Sequence, residues 1–447
     1  MRHLSSRRLL VVLVAVLGAV PVAAQQSILP QDATGFRLFG ELKVHYRNSD
    51  FVEFRIPVDF PPDFFEPGDN GVFLRTPEPG GHWETSVAKV GLAARFSPSV
   101  DALALVWVED LYNRNPTSLD DRVFVREAWF RFGTPDGHLQ QLEAGSWFLQ
   151  VGKSPRFAKQ EIRHLESYGL WGTAVNRFEI WQAKLGVTLV DGLYVRAQYG
   201  IAGPLFMRDV NALAGDNGTP ERKPGNVHPK YGSGLPILYD ARPPNFELDG
   251  PDEWGAGLGW RWADASSGNG LDVLAWHFSR TLEDAPEIEG SFYQGDLELL
   301  RGAGLPLPFE GDSKHETGLN VTWRFGNWFG FGQYVDQDIA GLGRSGAEIV
   351  TGWNIPLPGL FAAFDRPVVN WIRPTVRYSF IDNDFAVPPP FITPSLFWDW
   401  TKLDAGVRIG IVRDVDVTAE WSRNDVELAN GSKIHPDEFL ATLRIGW

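Results

Sequence analysis

The last nine residues constrain the fold of this chain most. Segment 439–447 reads Phe-Leu-Ala-Thr-Leu-Arg-Ile-Gly-Trp, with an apolar residue at every second position. Successive side chains of a β-strand point to opposite faces, so this period of two predicts a strand with one apolar and one polar face. By itself the segment fits two folds, a soluble β-sandwich and the wall of a membrane barrel.

The same alternation recurs at the start of the folded part, over residues 36–47. One face carries Phe36, Leu38, Gly40, Leu42, Val44 and Tyr46, and the other carries Arg37, Phe39, Glu41, Lys43, His45 and Arg47. In a sandwich the apolar face would meet a core and the charged face water. In a barrel the apolar face meets lipid and the charged face lines a lumen.

The connections between strands distinguish these two folds. We predict about sixteen strands, each near the length of about ten residues that a tilted membrane strand needs. Their ranges are 36–47, 83–96, 100–110, 121–132, 142–153, 177–189, 192–200, 253–262, 271–280, 315–325, 328–337, 346–355, 369–380, 400–411, 415–423 and 438–447. Connections after odd strands are long and those after even strands are mostly short. This alternation predicts a closed, antiparallel, all-β transmembrane barrel of about 14 to 18 strands, with long extracellular loops and short periplasmic turns.

The N-terminus predicts export. Residues 1–24 form a signal peptide, with Arg2, Arg7 and Arg8 before an apolar run and Val22-Ala23-Ala24 at its exit. We expect a short periplasmic segment over 25–35 and a single barrel domain over 36–447. The chain has no cysteine and a net charge of −15, which excludes disulfides and argues against nucleic-acid binding. We predict no cofactor and no metal site.

The closing strand 439–447 resembles the C-terminal signature of Gram-negative outer-membrane β-barrel proteins. The whole chain resembles porins of about sixteen strands. Segments 123–132 (VFVREAWFRF), 149–153 (LQVGK) and 372–380 (IRPTVRYSF) are similar to strands of substrate-selective porins, including the phosphate-selective and alginate-export families. The resemblance implies residence among outer-membrane lipid and lipopolysaccharide, insertion by the barrel-assembly machinery through the last strand, and passage of small hydrophilic solutes. It leaves a monomer and a homotrimer both open.

Strand parity predicts which charged side chains face the lumen. The basic set is Arg37, Lys43, Arg47, Arg131, Arg196, Arg324, Arg373, Arg377, Arg408 and Arg444, and the acidic set is Glu41, Glu127, Glu316, Glu348, Asp404 and Glu420. The guanidinium fork suits carboxylates and phosphates, so this set favours anionic solutes. The alternative is that these arginines pair with the lumen acids and only solvate the wall.

A barrel of this size is too wide for side chains to fill, so an aqueous channel is expected unless loops plug it. The third long loop, 154–176, is the predicted constriction, through Arg156, Lys159, Arg163, His164, Glu166 and Tyr168. The alternative is an external loop at the lipopolysaccharide surface. Together these features predict a channel for passive diffusion, whose solute and direction of transport the sequence leaves open.

Two other functions remain open. His277-Phe278-Ser279 resembles the His-x-Ser pair of outer-membrane phospholipases and lipid A deacylases, in which a base activates the serine. Those families follow the serine with Asn, whereas Arg280 follows it here, and we expect no enzyme. The other alternative is a structural or adhesin barrel with a plugged lumen.

Overall fold

A computed structural model of the chain describes all sixteen strands predicted above. The described residues are 34–51, 53–55, 73–75, 80–109, 123–134, 137, 139–160, 164–167, 169–171, 179–201, 252–281, 304, 313–339, 341–357, 361–363, 366–384 and 398–447. The predicted signal peptide, 1–24, and large parts of the long loops lie outside these residues.

Sixteen long strands form one antiparallel sheet that closes on itself. They are β1 (Gly35–Ser49), β2 (Gly80–Ser97), β3 (Val100–Glu109), β4 (Val123–Gly133), β5 (Trp147–Pro155), β6 (Glu179–Val190), β7 (Leu193–Ile201), β8 (Asp252–Asp264), β9 (Asn269–Thr281), β10 (Ser313–Phe325), β11 (Trp328–Ile339), β12 (Leu342–Trp353), β13 (Trp371–Asn383), β14 (Asp399–Val412), β15 (Val415–Glu427) and β16 (Asp437–Gly446). Shorter pairs join Glu53–Arg55 to Phe73–Arg75 and Phe361–Ala363 to Arg366–Val368, while Ile355–Pro356 and Lys433–Ile434 pair with β13 and β15.

The seam of the barrel joins the first strand to the last. β1 pairs with β2 on one side and with β16 on the other, with Lys43 opposite Arg444 across the seam. Backbone hydrogen bonds run in both directions between Gly40 and Trp447, at 3.0 and 3.1 Å. Because closure pairs the two outermost strands, the sheet keeps no open edge. The predicted closed antiparallel barrel is confirmed.

The wall has its apolar side chains outside and its polar ones inside. In β6, Trp181 is 48% exposed, whereas Lys184, on the opposite face, is 8% exposed. The same division holds along the other long strands, where Leu258, Leu319 and Val376 face outward. Soluble proteins bury their apolar residues, so this reversed distribution is typical of a barrel surrounded by lipid. Among the described residues, no helix is long and apolar enough to cross a membrane.

Every predicted strand is present, and three boundaries differ by four or more residues. The fifteenth strand ends at Glu427 rather than 423. The fifth strand begins at Trp147 rather than 142, because Glu143 and Ser146 form a hydrogen-bonded turn in which Gly145 has a positive φ of 78°. The twelfth strand begins at Leu342 rather than 346. The Asp338 carboxylate accepts a hydrogen bond from the Gly341 backbone at 2.9 Å, so the predicted loop 338–345 is a tight hairpin.

Candidate functional site

β5 ends at Pro155, and the chain then leaves the wall. We call the described parts that follow, residues 156–160, 164–167 and 169–171, the 156–171 segment. Its first residue, Arg156, is buried against two carboxylates on the inward face: its Nε lies 2.7 Å from Glu253 Oε1 on β8 and its Nη1 lies 2.6 Å from Glu316 Oε2 on β10. Burial alone would lower the pKa of Arg156, but the two carboxylates outweigh it and raise the pKa. The guanidinium therefore stays charged.

The residues that follow Arg156 continue along the same side of the barrel. The ring of Phe157 packs on Phe278 of β9, with centroids 5.0 Å apart. Asn320 of β10 donates a hydrogen bond from Nδ2 to the Ala158 carbonyl at 2.7 Å. Lys159 pairs with Glu179 at the start of β6 at 2.8 Å. Aromatic packing, an amide and ion pairs thus fix this part of the segment against β6 to β10.

The second half of the segment contacts a different part of the wall. Glu166 is buried and forms an ion pair with Lys43 of β1, Nζ to Oε2 at 2.6 Å, and a second with Arg408 of β14. The backbone N–H groups of Glu166 and Ser167 both donate to the carboxylate of Glu420 on β15, the latter at 2.9 Å. Glu166 therefore joins strands that lie next to the seam.

Arg377 of β13 holds Ser167 from the wall half-way round the barrel from β5. Its Nη1 donates to the Ser167 carbonyl at 3.1 Å and its Nη2 to Ser167 Oγ at 2.8 Å, while its Nε donates to Asp404 at 2.9 Å. Trp171 is 0% exposed and donates from Nε1 to the Phe380 carbonyl of β13 at 2.8 Å. The described parts of the segment thus contact both sides of the barrel interior.

The fold of this chain is similar to that of solved outer-membrane porins. No protein-family model matches the sequence, and neither does any curated protein. Among solved structures, Salmonella typhi OmpF in complex with daunomycin has a TM-score of 0.50 at 10% identity, covering 94% of this chain and 99% of that chain. Pseudomonas putida OprB at high pH has a TM-score of 0.50 at 8% identity, covering 92% and 94%. The chain has the porin fold.

An anion-selective porin from Comamonas acidovorans is also similar, at 9% identity and a TM-score of 0.44, covering 93% of this chain and 100% of that chain. At these identities the likeness concerns architecture alone. The porin fold, together with the apolar exterior described above, indicates residence in the bacterial outer membrane.

Most of the basic residues predicted from parity lie beside carboxylates in this porin fold. Arg47 is 3.8 Å from Glu438, and Arg131 donates from Nε to Asp101 at 3.0 Å. Arg444 contacts both Asp416 at 2.8 Å and Glu41 at 3.2 Å. Arg196 differs, since its guanidinium stacks over Tyr194 at 4.2 Å. Arg37, Arg324 and Arg373 lie on the same inward faces, near the end of the barrel that carries the tight turns.

The predicted acids have partners of several kinds. Glu41 forms an ion pair with Lys89 at 2.9 Å, and Glu127 accepts a hydrogen bond from Trp129 Nε1 at 3.1 Å. Glu348 is buried on β12. The other predicted acids, Glu316, Asp404 and Glu420, contact the 156–171 segment or its partners as described above. Of the predicted constriction residues, Arg163 and Tyr168 lie outside the described residues. The ring of His164 contacts Phe329 of β11, with centroids 4.1 Å apart.

Parity missed several charged residues of the interior. Arg126 pairs with Glu179 at 2.6 Å because the register between β3 and β4 shifts at Leu105 and Val106, which turns Arg126 to the inward face. A bulge of this kind leaves no clear mark in the sequence. Lys314, 3.3 Å from Glu316, and Lys402, 3.1 Å from Asp404, lie on the regular inward parity. Lys314 lies one residue before the predicted tenth strand, so extending that strand by one residue would have found it. Lys402 lies inside the predicted fourteenth strand, on the same face as Asp404, and a complete parity count would have included it.

The His-x-Ser pair lies on the outward face of β9. His277 Nδ1 is 2.9 Å from Thr317 Oγ1 of β10, and its ring lies beside Trp254 and His315. Activation of a serine requires the base within hydrogen-bonding reach of the hydroxyl. The described contacts of His277 are with Thr317 and these two rings rather than with Ser279.

Proposed function

We propose that this chain is an outer-membrane porin that lets small hydrophilic solutes diffuse passively through the barrel interior, past a constriction formed by the 156–171 segment. The observation that carries the proposal is the pair of attachments of this segment, through Arg156 to β8 and β10 and through Glu166 to β1 and β14. A sixteen-stranded barrel leaves an aqueous interior, which a segment attached on both sides narrows.

The charges along the proposed constriction supply its electrostatics. On one side the Arg156 guanidinium lies between Glu253 and Glu316, and on the other the Glu166 carboxylate lies between Lys43 and Arg408. Opposite charges fixed across a narrow, low-dielectric passage orient and select a passing solute. We propose a preference for anions, which the inward arginines support through their fork of donors.

Lipid and lipopolysaccharide around the apolar wall are the partners that this role implies. Assembly in the membrane would use the barrel-assembly machinery through β16, whose residues pair with both β1 and β15.

A bilayer recording tests the proposal directly. The full chain, refolded in detergent and added to a planar bilayer, is expected to produce stepwise ion conductance. Reversal potentials under a tenfold salt gradient then report the selectivity. A protein that is folded by circular dichroism and inserted, yet gives no conductance steps, would refute the porin role.

One observation favours a second candidate, the plugged structural barrel. Lys402, Asp404 and Asn424 are each 0% exposed although all three lie on inward faces of the wall. An interior this crowded over its whole length would block passage. The same recording separates the two functions, since a plugged barrel inserts without conducting.

A further inference from the structure

The inward arginines of β10 and β13 to β16 fall into two groups. Arg377, Arg408 and Arg444 each contact carboxylates: Arg377 contacts Asp404 at 2.9 Å, Arg408 lies 3.4 Å from Asp416 and also pairs with Glu166, and Arg444 contacts Asp416 and Glu41. A buried charge beside an opposite charge projects little net field into the passage. These three residues are therefore poor candidates for attracting a free anion.

Arg373 belongs to the second group. Its Nη2 lies 3.3 Å from the amide oxygen of Asn354, and its guanidinium stacks over the rings of Trp371 at 4.7 Å and Phe329 at 5.4 Å. Its Nε is buried with no hydrogen-bond partner. Within the described part of the chain, no carboxylate forms an ion pair with Arg373. A buried donor without a partner is unfavourable, so this guanidinium is suited to receive an acceptor from outside the wall.

Arg324 is the other arginine of this group. It is exposed and shares its strand face with Glu316 and Asn320 of β10, and no described carboxylate lies within ion-pair distance of it. Arg324 lies opposite Phe329 in the register between β10 and β11, and the Arg373 guanidinium stacks over the ring of that same Phe329 at 5.4 Å. The two like charges therefore lie near each other on the inward face and repel. An anion placed between the two guanidinium groups would relieve this repulsion.

The position of the pair connects it to the proposed passage. Phe329, which carries Arg373 on its ring, is also the residue that the His164 ring contacts from the 156–171 segment. Arg324 lies one residue before the end of β10, and Arg373 two residues after the start of β13. The pair thus lies where the segment meets the wall. It is toward the end of the barrel that carries the Gly326-Asn327 turn between β10 and β11.

We propose that Arg324 and Arg373 form a binding site for a small oxyanion, carboxylate or phosphate, and that this pair, rather than Arg377 and Arg408, sets the anion preference of the channel. The proposal rests on the porin role for its selectivity part. Two guanidinium forks with unused donors match the two or more oxygens of such an anion.

The experiment measures binding and selectivity separately. Calorimetric titration uses the full chain in a maltoside detergent, which is free of phosphate and carboxylate, with inorganic phosphate in one arm and acetate in the other. The double variant Arg324→Gln/Arg373→Gln is expected to bind the oxyanion at least about tenfold more weakly. A loss of about tenfold is the effect expected from losing even one strong charge-assisted contact. The arm that shows binding in the unmodified chain identifies the oxyanion. No binding in either arm, or equal binding by the double variant, overturns the site.

Reversal potentials supply the second readout. The double Gln variant is expected to lose anion preference, whereas Arg373→Lys keeps the charge and should keep the preference while binding the oxyanion more weakly. The control is Arg423→Gln, on the exposed outer side of β15 near Asp425, which should match the unmodified chain in both measurements. Binding without any conductance would refute the porin role and leave the site intact. Conductance with unchanged selectivity in the double variant would refute the selectivity assignment.

Discussion

Glu166→Gln is the substitution that tests the attachment of the 156–171 segment most directly. Glu166 is buried, forms ion pairs with Lys43 and Arg408, and is 123 residues from Lys43 along the chain. Glutamine keeps the size and one acceptor oxygen but removes the charge. Both cations then lose a buried carboxylate at once, so the segment loses its main attachment to β1 and β14.

The size of the effect follows from the burial of this cluster. Removing one partner of a buried ion pair costs about 3 to 5 kcal/mol, because the remaining charge stays buried without compensation. Since glutamine retains a hydrogen bond, we take the lower value, about 3 kcal/mol. At about 1.4 kcal/mol for each factor of ten, the ratio of released to attached segment rises about a hundredfold.

Single-channel recording measures this ratio as the time spent at a larger conductance divided by the time spent at the smaller one. We expect this ratio to rise about a hundredfold in Glu166→Gln and the anion preference to increase, since Lys43 and Arg408 become uncompensated. The matched control is Glu427→Gln, which removes the same charge from an exposed ion pair with Lys433 at 2.8 Å and should leave the recordings unchanged. A change of less than about threefold in Glu166→Gln, with the barrel folded, would refute this account of the attachment.

Three further predictions concern other parts of the barrel. Arg156→Gln leaves Glu253 and Glu316 without their shared cation, so selectivity should shift toward cations in reversal-potential measurements, and an unchanged potential would contradict the assigned contacts. Trp447→Ala removes the ring that packs over Gly40 at the seam and should lower the folded fraction in refolding followed by heat-modifiable gel migration, whereas equal yields would show that the ring is dispensable. Ser279→Ala should leave conductance and folding unaltered in the same assays, because the described contacts of His277 are with Thr317, Trp254 and His315. If the unmodified chain hydrolyses an ester and this variant does not, the lipid-enzyme alternative would be supported instead.

The wall could be predicted from the sequence because its determinants are local. A period of two along each strand assigns one face to lipid and the other to the interior, and this holds for Arg37 as well as for Arg444. Turn residues such as Gly341 and Gly145 then adjust the strand ends by a few positions. The inward position of Arg126 was not predicted, because one bulge opposite β3 reverses the parity locally.

The interior could not be predicted in the same way, because its contacts join residues far apart in the chain. Glu166 and Arg408 are separated by 242 residues, and Arg156 and Glu316 by 160. Parity places Arg408 and Glu316 inside the barrel but does not specify which charge each of them meets. The segment's own residues lie outside any strand, so no periodicity constrains where they reach.

The number of charged residues that face inward therefore does not determine the net electrostatic field inside the barrel. Arg377 and Arg373 are four residues apart on one face of β13 and are equivalent by parity. The first donates to Asp404 and Ser167, whereas the second retains an unused Nε beside two aromatic rings. Because a compensated arginine contributes little to the net potential, a porin's selectivity depends on the few cations that its own carboxylates leave unpaired. Among the described inward arginines of β10 and β13 to β16, that criterion selects Arg324 and Arg373.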